Sequence, residues 1–274
     1  MPDVPNAGQL ALVLIAILLF AAGGLISVAR LKWERSSLRI ASKASLYSGI
    51  CFGIGALAWH SSRRGSWVPL EDNFETMVWI ALLLAGFVAY MQRRHPLRGL
   101  DWFIMPIVIF LMVAAAVFGR TMPRQYLDTS WFRLHLVAAF GGAVAFAVAG
   151  AAGAMYLLSN WRLRTKRVAP GTGLGSLERL EHITLVSVTF GFALLTVALV
   201  TGLVRAMYGH NRMGPDWYTQ PKVLLTFIAW VVYALVLHSP INPSFRGRKT
   251  ALLSVFGLFL MIGILIAVQW MPAK

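Results

Sequence analysis

The chain alternates between long apolar runs and short polar connections. Eight runs stand out, at 8–29, 45–61, 75–91, 102–120, 132–158, 183–206, 221–239 and 250–270. Each approaches or exceeds the roughly 20 residues that an α-helix needs to cross the hydrocarbon core of a bilayer. The pattern predicts an all-α polytopic membrane protein of eight transmembrane helices, forming a single integral membrane domain over 1–274. The stretch before the first run, MPDVPNAGQ, carries no Lys or Arg, and the positive cluster follows the run. That order predicts a retained helix rather than a cleaved signal peptide.

The connections test the count through their charge. Those after runs one, three, five and seven carry sixteen Lys and Arg: Arg30 to Lys43, Arg93 to Arg98, Arg162 to Arg179, and Arg246 to Lys249. The opposite side carries nine. After subtracting acids the two sides hold +12 and +3 of the total +15. By the positive-inside rule the first side is cytoplasmic, so both the N-terminus and the C-terminus are expected outside. A missed or invented helix would scramble this alternation.

Composition agrees with the pattern. Hydrophobic residues make up 58% and charged residues 13%; the mean hydropathy is +0.69. Soluble domains carry about 25% charged residues, so lipid is the expected solvent. The net charge of +15 therefore reads as topology and attraction to lipid surfaces, not as a footprint for nucleic acid. The lone Cys51 excludes an internal disulfide and a CxxC pair. The loop at 159–182 contains GTGLGS, but no strand precedes it, so it does not read as a phosphate cradle. No HExxH, P-loop or GxSxG occurs. Acidic residues are absent from helix centres, and no Pro/Gly-broken helix pair with midplane charge stands out. Both features argue against an ion-coupled transporter.

Candidate chemistry then falls on the histidines and aromatics. His60, His135 and His210 lie at the expected outer face, and His95, His182 and His238 at the inner face. His135 opens the fifth run, on a face continued by Ala138, Ala139, Gly142, Ala149, Gly150 and Gly153. That face is nearly free of side chains, which suits either close helix packing or a flat cofactor beside the imidazole. His60 follows Trp59 and is read as a belt residue or an outer ligand; His238 ends the seventh run. Outer-side aromatics are dense. Most fit an aromatic belt, but Trp67, Trp217 and Tyr218 fall in loops and Trp131 precedes the fifth run. Those four suit a platform for a large planar ligand.

Four ordered segments carry a resemblance. They are VPLEDNFETMVWIAL, SWFRLHLVAAFGG, FGFALLTVALVTGLVRA, and WYTQPKVLLTFIAWVVYALVLHSPINPSFRGRKTALLSVFGL. Together they span most of 65–265 and resemble the cytochrome c assembly, haem-handling family of the CcsA/CcmC type, including its shorter HemX- and YpjD-like branch. The resemblance implies a protein of the bacterial cytoplasmic (inner) membrane that displays b-type haem at the outer face and assists c-type cytochrome assembly. The implied partners are the lipid bilayer, a ResB-type assembly protein and apocytochrome c. A stand-alone enzyme is not expected. By position, His135 and His238 match histidines that ligate the iron, and Trp217, Tyr218, Pro221 and Lys222 match the end of the family's tryptophan-rich loop. The departures are specific. GHNRMGPDWYTQPKV holds one Trp, and no His follows the last run. They leave room for a second reading: a non-catalytic accessory protein that modulates another membrane protein or haem synthesis.

Neutral imidazole is an ordinary axial ligand for haem iron. Arg120, Arg124, Arg133, Arg205 and Arg212 lie on the expected outer side, where guanidinium groups pair strongly with partly desolvated propionates.

Overall fold

The structure is a computed structural model and describes residues 6–33, 35–67, 70–94, 97, 99–119, 130–166, 175–208, 217–238 and 246–270. Among these there is no strand. Eight α-helices follow one another: α1 (Ala7–Lys32), α2 (Ser36–Arg64), α3 (Asn73–Arg94), α4 (Leu100–Phe118), α5 (Ser130–Arg164), α6 (Leu177–Tyr208), α7 (Pro221–Leu237) and α8 (Arg248–Trp270). Over its described residues, each of the eight predicted apolar runs lies on one of these helices to within a residue or two. Seven are long and apolar enough to cross a membrane; α7, with 17 residues, is the shorter one. The protein is an all-helical integral membrane protein.

Local chemistry sets the helix ends. Asn6 and Gln9 form a reciprocal capping box at the start of α1, which satisfies two of the backbone N–H groups a helix start leaves open. Gly65 takes a left-handed conformation (φ 75°) at the end of α2, where a Cβ would be strained. Asp72 caps α3 by accepting the Glu75 N–H at 2.7 Å. Pro221 opens α7, where its missing N–H costs nothing.

The chain divides into two compact units, α1–α4 and α5–α8. In the first, α3 is the most enclosed helix. Phe74, Val78, Ala81, Leu84, Ala85 and Val88 are fully buried, and Phe20, Ala56, Ile104, Val108 and Met112 come from its neighbours. One end of this unit is tied by polar contacts from all four helices. Asp101 Oδ2 accepts from Ser27 Oγ at 2.9 Å and from Gln92 Nε2 at 2.7 Å, and Ser42 Oγ bonds Ser27 Oγ at 2.9 Å.

In the second unit the small-residue face of α5 is filled by helices. A Cβ on Gly153 would stand 2.9 Å from the Ala251 carbonyl oxygen, and one on Gly150 2.6 Å from Leu258 Cβ, both on α8; Gly142 packs on α6. Of the two readings of that face, close packing is the one the helices realise over Gly142, Gly150 and Gly153. At the centre the Phe146 ring lies on the Tyr233 ring, with centroids 3.5 Å apart and planes 7° apart. The Tyr233 hydroxyl is buried without a hydrogen-bond partner among the described residues. A buried unpaired hydroxyl costs on the order of 1–3 kcal/mol. Tyr233→Phe is therefore expected to raise the thermal unfolding midpoint in detergent; a lowered midpoint would reveal a partner for the hydroxyl.

Candidate functional site

The first turns of α5 and the end of α6 build one candidate site. His135 is one turn after Trp131, which is 60% exposed. Its imidazole is half-buried and turned onto α6, with Nδ1 2.8 Å from the Ala198 carbonyl oxygen and 3.2 Å from Thr201 Oγ1. A carbonyl oxygen only accepts, so Nδ1 carries the proton. Thr201 donates its own hydrogen to the Val197 carbonyl at 2.7 Å, which leaves its oxygen as an acceptor towards Nδ1. In the neutral ring the lone pair is then on Nε2. This is the second-partner pattern that orients metal-binding histidines. The Phe132 ring lies nearly parallel to the imidazole, at 6.3 Å between centroids and 10° between planes.

Gly202 makes the ring's position possible. A Cβ there would stand 3.1 Å from His135 Cε1. Gly202→Ala is expected to push the imidazole off α6 by a few tenths of an ångström and to weaken any ligand held by Nε2. Metalloporphyrin titration of the variant and the parent checks this.

The other sequence candidates lie elsewhere. Tyr218 is exposed in a one-turn 3₁₀ segment, Trp217–Thr219, just before α7. Trp217 belongs to the same turn. Arg133 is exposed two residues before His135. His238 ends α7 and is surface-placed, with Nδ1–H donating to the Ala234 carbonyl of its own helix at 2.9 Å. Successive helices of this unit run antiparallel, so α5 and α7 run in the same direction, levelled by Tyr233 beside Phe146, with Trp230 Nε1 donating to Thr196 on α6 at 3.0 Å. Counting helical rise from these levels puts His135 and His238 about 20–25 Å apart. One iron cannot take both. His182 is exposed and lines an open cavity of about 490 Å³ with Glu178, Arg179, Glu181 and Arg246. His95, His210, Arg120, Arg124 and Arg212 lie outside the described residues.

In the first unit, Trp67 is 71% exposed, next to the turn after α2. His60 is not at a lipid interface but buried, at 3% exposure. Nδ1 faces Gln9 Nε2, and Nε2 is 2.5 Å from Asp72 Oδ2. Both ring nitrogens are engaged by protein. Around them Arg64 pairs with three carboxylates: Glu71 at 2.6 Å, Asp72 at 3.0 Å and Glu75 at 3.1 Å. Sequence reading passed over this cluster, although two signals pointed to it. His60 and Arg64 are spaced to share a helix face, and Asp72 and Glu75 stand as an N-cap and its third residue. Gln9, 51 residues from His60, left no local signal. Among the described residues no group of three His, Cys, Asp or Glu side chains is arranged to hold a metal ion.

Comparison with known proteins bears on this geometry. Residues 67–273 match the family described as Cytochrome C assembly protein. The chain is 27% identical over 258 residues to the cytochrome c biogenesis protein CcsA of Synechococcus sp. (strain RCC307), covering 89% of this chain and 78% of that one. It is 27% identical over 267 residues to the CcsA of Prochlorococcus marinus (strain MIT 9303), covering 90% and 79%. A shorter stretch of 85 residues is 38% identical to the CcsA of Prochlorococcus marinus (strain NATL2A), covering 31% and 26%. No solved structure matches.

Proposed function

This chain belongs to the cytochrome c assembly protein family, with a role in cytochrome c biogenesis, and on that premise we propose that it is a haem-handling protein whose His135 holds the iron. The observation that carries the reading is the bond from His135 Nδ1–H to the Ala198 carbonyl at 2.8 Å. It sets the tautomer that leaves Nε2 as the ligating atom and fixes the ring plane. Haem is the cargo here, delivered for attachment to an apocytochrome c. The chain's own residues supply an oriented imidazole, aromatic surface from Trp131 and Phe132, and positive charge from Arg133 for the propionates.

The cationic side of the chain faces the cytoplasm in this reading, which puts both termini and the His135 end outside the bacterial cytoplasmic membrane. The haem is of b-type, bound without a covalent link. His60 takes no part, since Gln9 and Asp72 hold both its nitrogens. His238 cannot share an iron with His135. Partners in this reading are apocytochrome c and a ResB-type assembly protein. The test is titration of the detergent-purified protein with haem. A Soret band that saturates near one haem per chain is expected; a spectrum indistinguishable from free haem in the same detergent overturns the proposal.

One observation favours a second reading. The segment GHNRMGPDWYTQPKV carries a single tryptophan, which offers little surface for display. A non-catalytic accessory or regulatory role then follows, with haem held but not passed on. Deletion of the gene separates the two: loss of holocytochrome c supports delivery, and normal levels support the accessory role.

A further inference from the structure

His60 stands under two opposing demands, and together they make the first turn of α1 sensitive to a proton. The first demand comes from α1. Gln9 N–H donates to Asn6 Oδ1 at 3.0 Å, and Gln9 Oε1 accepts the Asn6 N–H at 2.7 Å. The second of these bonds orients the Gln9 amide, because only its oxygen can receive a backbone N–H. The amide nitrogen of Gln9 must then face His60 Nδ1, which makes Nδ1 an acceptor. The ring's proton sits on Nε2 and is donated to Asp72 Oδ2 at 2.5 Å. So the capping box of α1 selects a neutral His60.

The opposing demand is charge. The groups facing the ring are Gln9 from α1, Asp72, Glu71 and Glu75 from the entry to α3, and Arg64 from its own helix; the Phe74 ring lies 5.1 Å away. Among the described residues three carboxylates meet one guanidinium. Their side chains are all nearly enclosed, at 16%, 0% and 3% exposure for the acids and 10% for Arg64. An imidazolium would meet opposite charge on Asp72 at 2.5 Å and like charge on Arg64, whose Nη1 is 3.3 Å from Nε2. Acquiring it places an N–H on Nδ1 against the Gln9 NH₂, donor against donor. Turning the Gln9 amide over relieves His60 but sets that NH₂ against the Asn6 N–H. Either way one bond at the first turn of α1 is lost.

We propose that Gln9 and His60 form a proton-operated latch, closed while His60 is neutral and opened when it is protonated. The same opening frees Gly8, whose Cα rests against the Trp59 indole so closely that a Cβ would stand 3.1 Å from it. The latch is independent of the haem reading, and its test needs no haem.

The test places a spin label on the exposed Ala7 as A7C, in a C51A background, with the full chain in lipid nanodiscs. Spectra are compared across the range where histidine changes charge, at about pH 8 and about pH 5. The label is expected to be immobilised at the higher pH, with its mobile fraction rising at least twofold at the lower. Gln9→Glu removes the conflict, because a carboxylate accepts from both Asn6 N–H and Nδ1–H; its label should stay immobile at both values. His60→Gln removes the imidazole and should also give spectra that do not change with pH. Equal mobility at the two values in the parent overturns the latch. So does a pH response that survives in either variant.

Discussion

Arg64→Ala is expected to destabilise the protein by about 3–5 kcal/mol, the usual consequence of removing one partner from a buried ion pair. An exposed pair would yield no more than about 1 kcal/mol. Enclosure decides between these magnitudes: the Arg64 side chain is 10% exposed, and Asp72 and Glu75 are 0% and 3% exposed. The guanidinium also makes contacts that a single ammonium cannot reproduce. Nε pairs with Glu71 at 2.6 Å, Nη1 reaches Asp72 and Glu75, and Nη2 donates to the Ser66 carbonyl at 3.2 Å. Arg64→Lys should therefore recover only part of the loss. Thermal unfolding in detergent, followed by circular dichroism, measures both variants. A shift for Arg64→Ala no larger than that of an exposed-arginine control such as Arg63→Ala would show the cluster to be solvated.

His135→Ala is expected to abolish the Soret band of the haem-titrated protein, while His238→Ala leaves it in place. The asymmetry follows from the surroundings of the two rings. His135 is half-buried and oriented by a second helix through the Ala198 carbonyl and Thr201. His238 is exposed, and among the described residues its ring bonds to the Ala234 carbonyl of its own last turn. Thr201→Val keeps the Ala198 bond and removes one acceptor, so a weakening of about tenfold is expected, at the low end for loss of an outer partner. A Soret band that persists in His135→Ala and vanishes in His238→Ala would move the iron to the opposite end of α7.

The eight helices were legible because each needs only a local property. An apolar run long enough for the bilayer forms a helix whatever its neighbours, since lipid cannot satisfy open backbone groups. Helix ends were less so. The run at 183–206 becomes Leu177–Tyr208, and the run at 132–158 becomes Ser130–Arg164, because polar residues extend a helix beyond the apolar stretch that marks it. The small-residue face of α5 was legible as a face, but not its occupant. Only the placement of Leu258 and Ala251 against Gly150 and Gly153 decided that helices fill it.

The histidines show the division most clearly. Hydropathy and charge alternation put His60 and His135 near the same expected membrane face, as comparable candidates. Folding separates them chemically. His135 meets a carbonyl 63 residues away, so its Nδ1 is a donor and its Nε2 holds the lone pair. His60 meets Gln9 and Asp72, 51 and 12 residues away, so its Nδ1 is an acceptor and its Nε2 donates. Span count and residue chemistry are written in short stretches of chain, since each depends on a helix and its solvent alone. A ring's tautomer, and with it what the ring can bind, depends on which distant groups the packed helices bring to its two nitrogens.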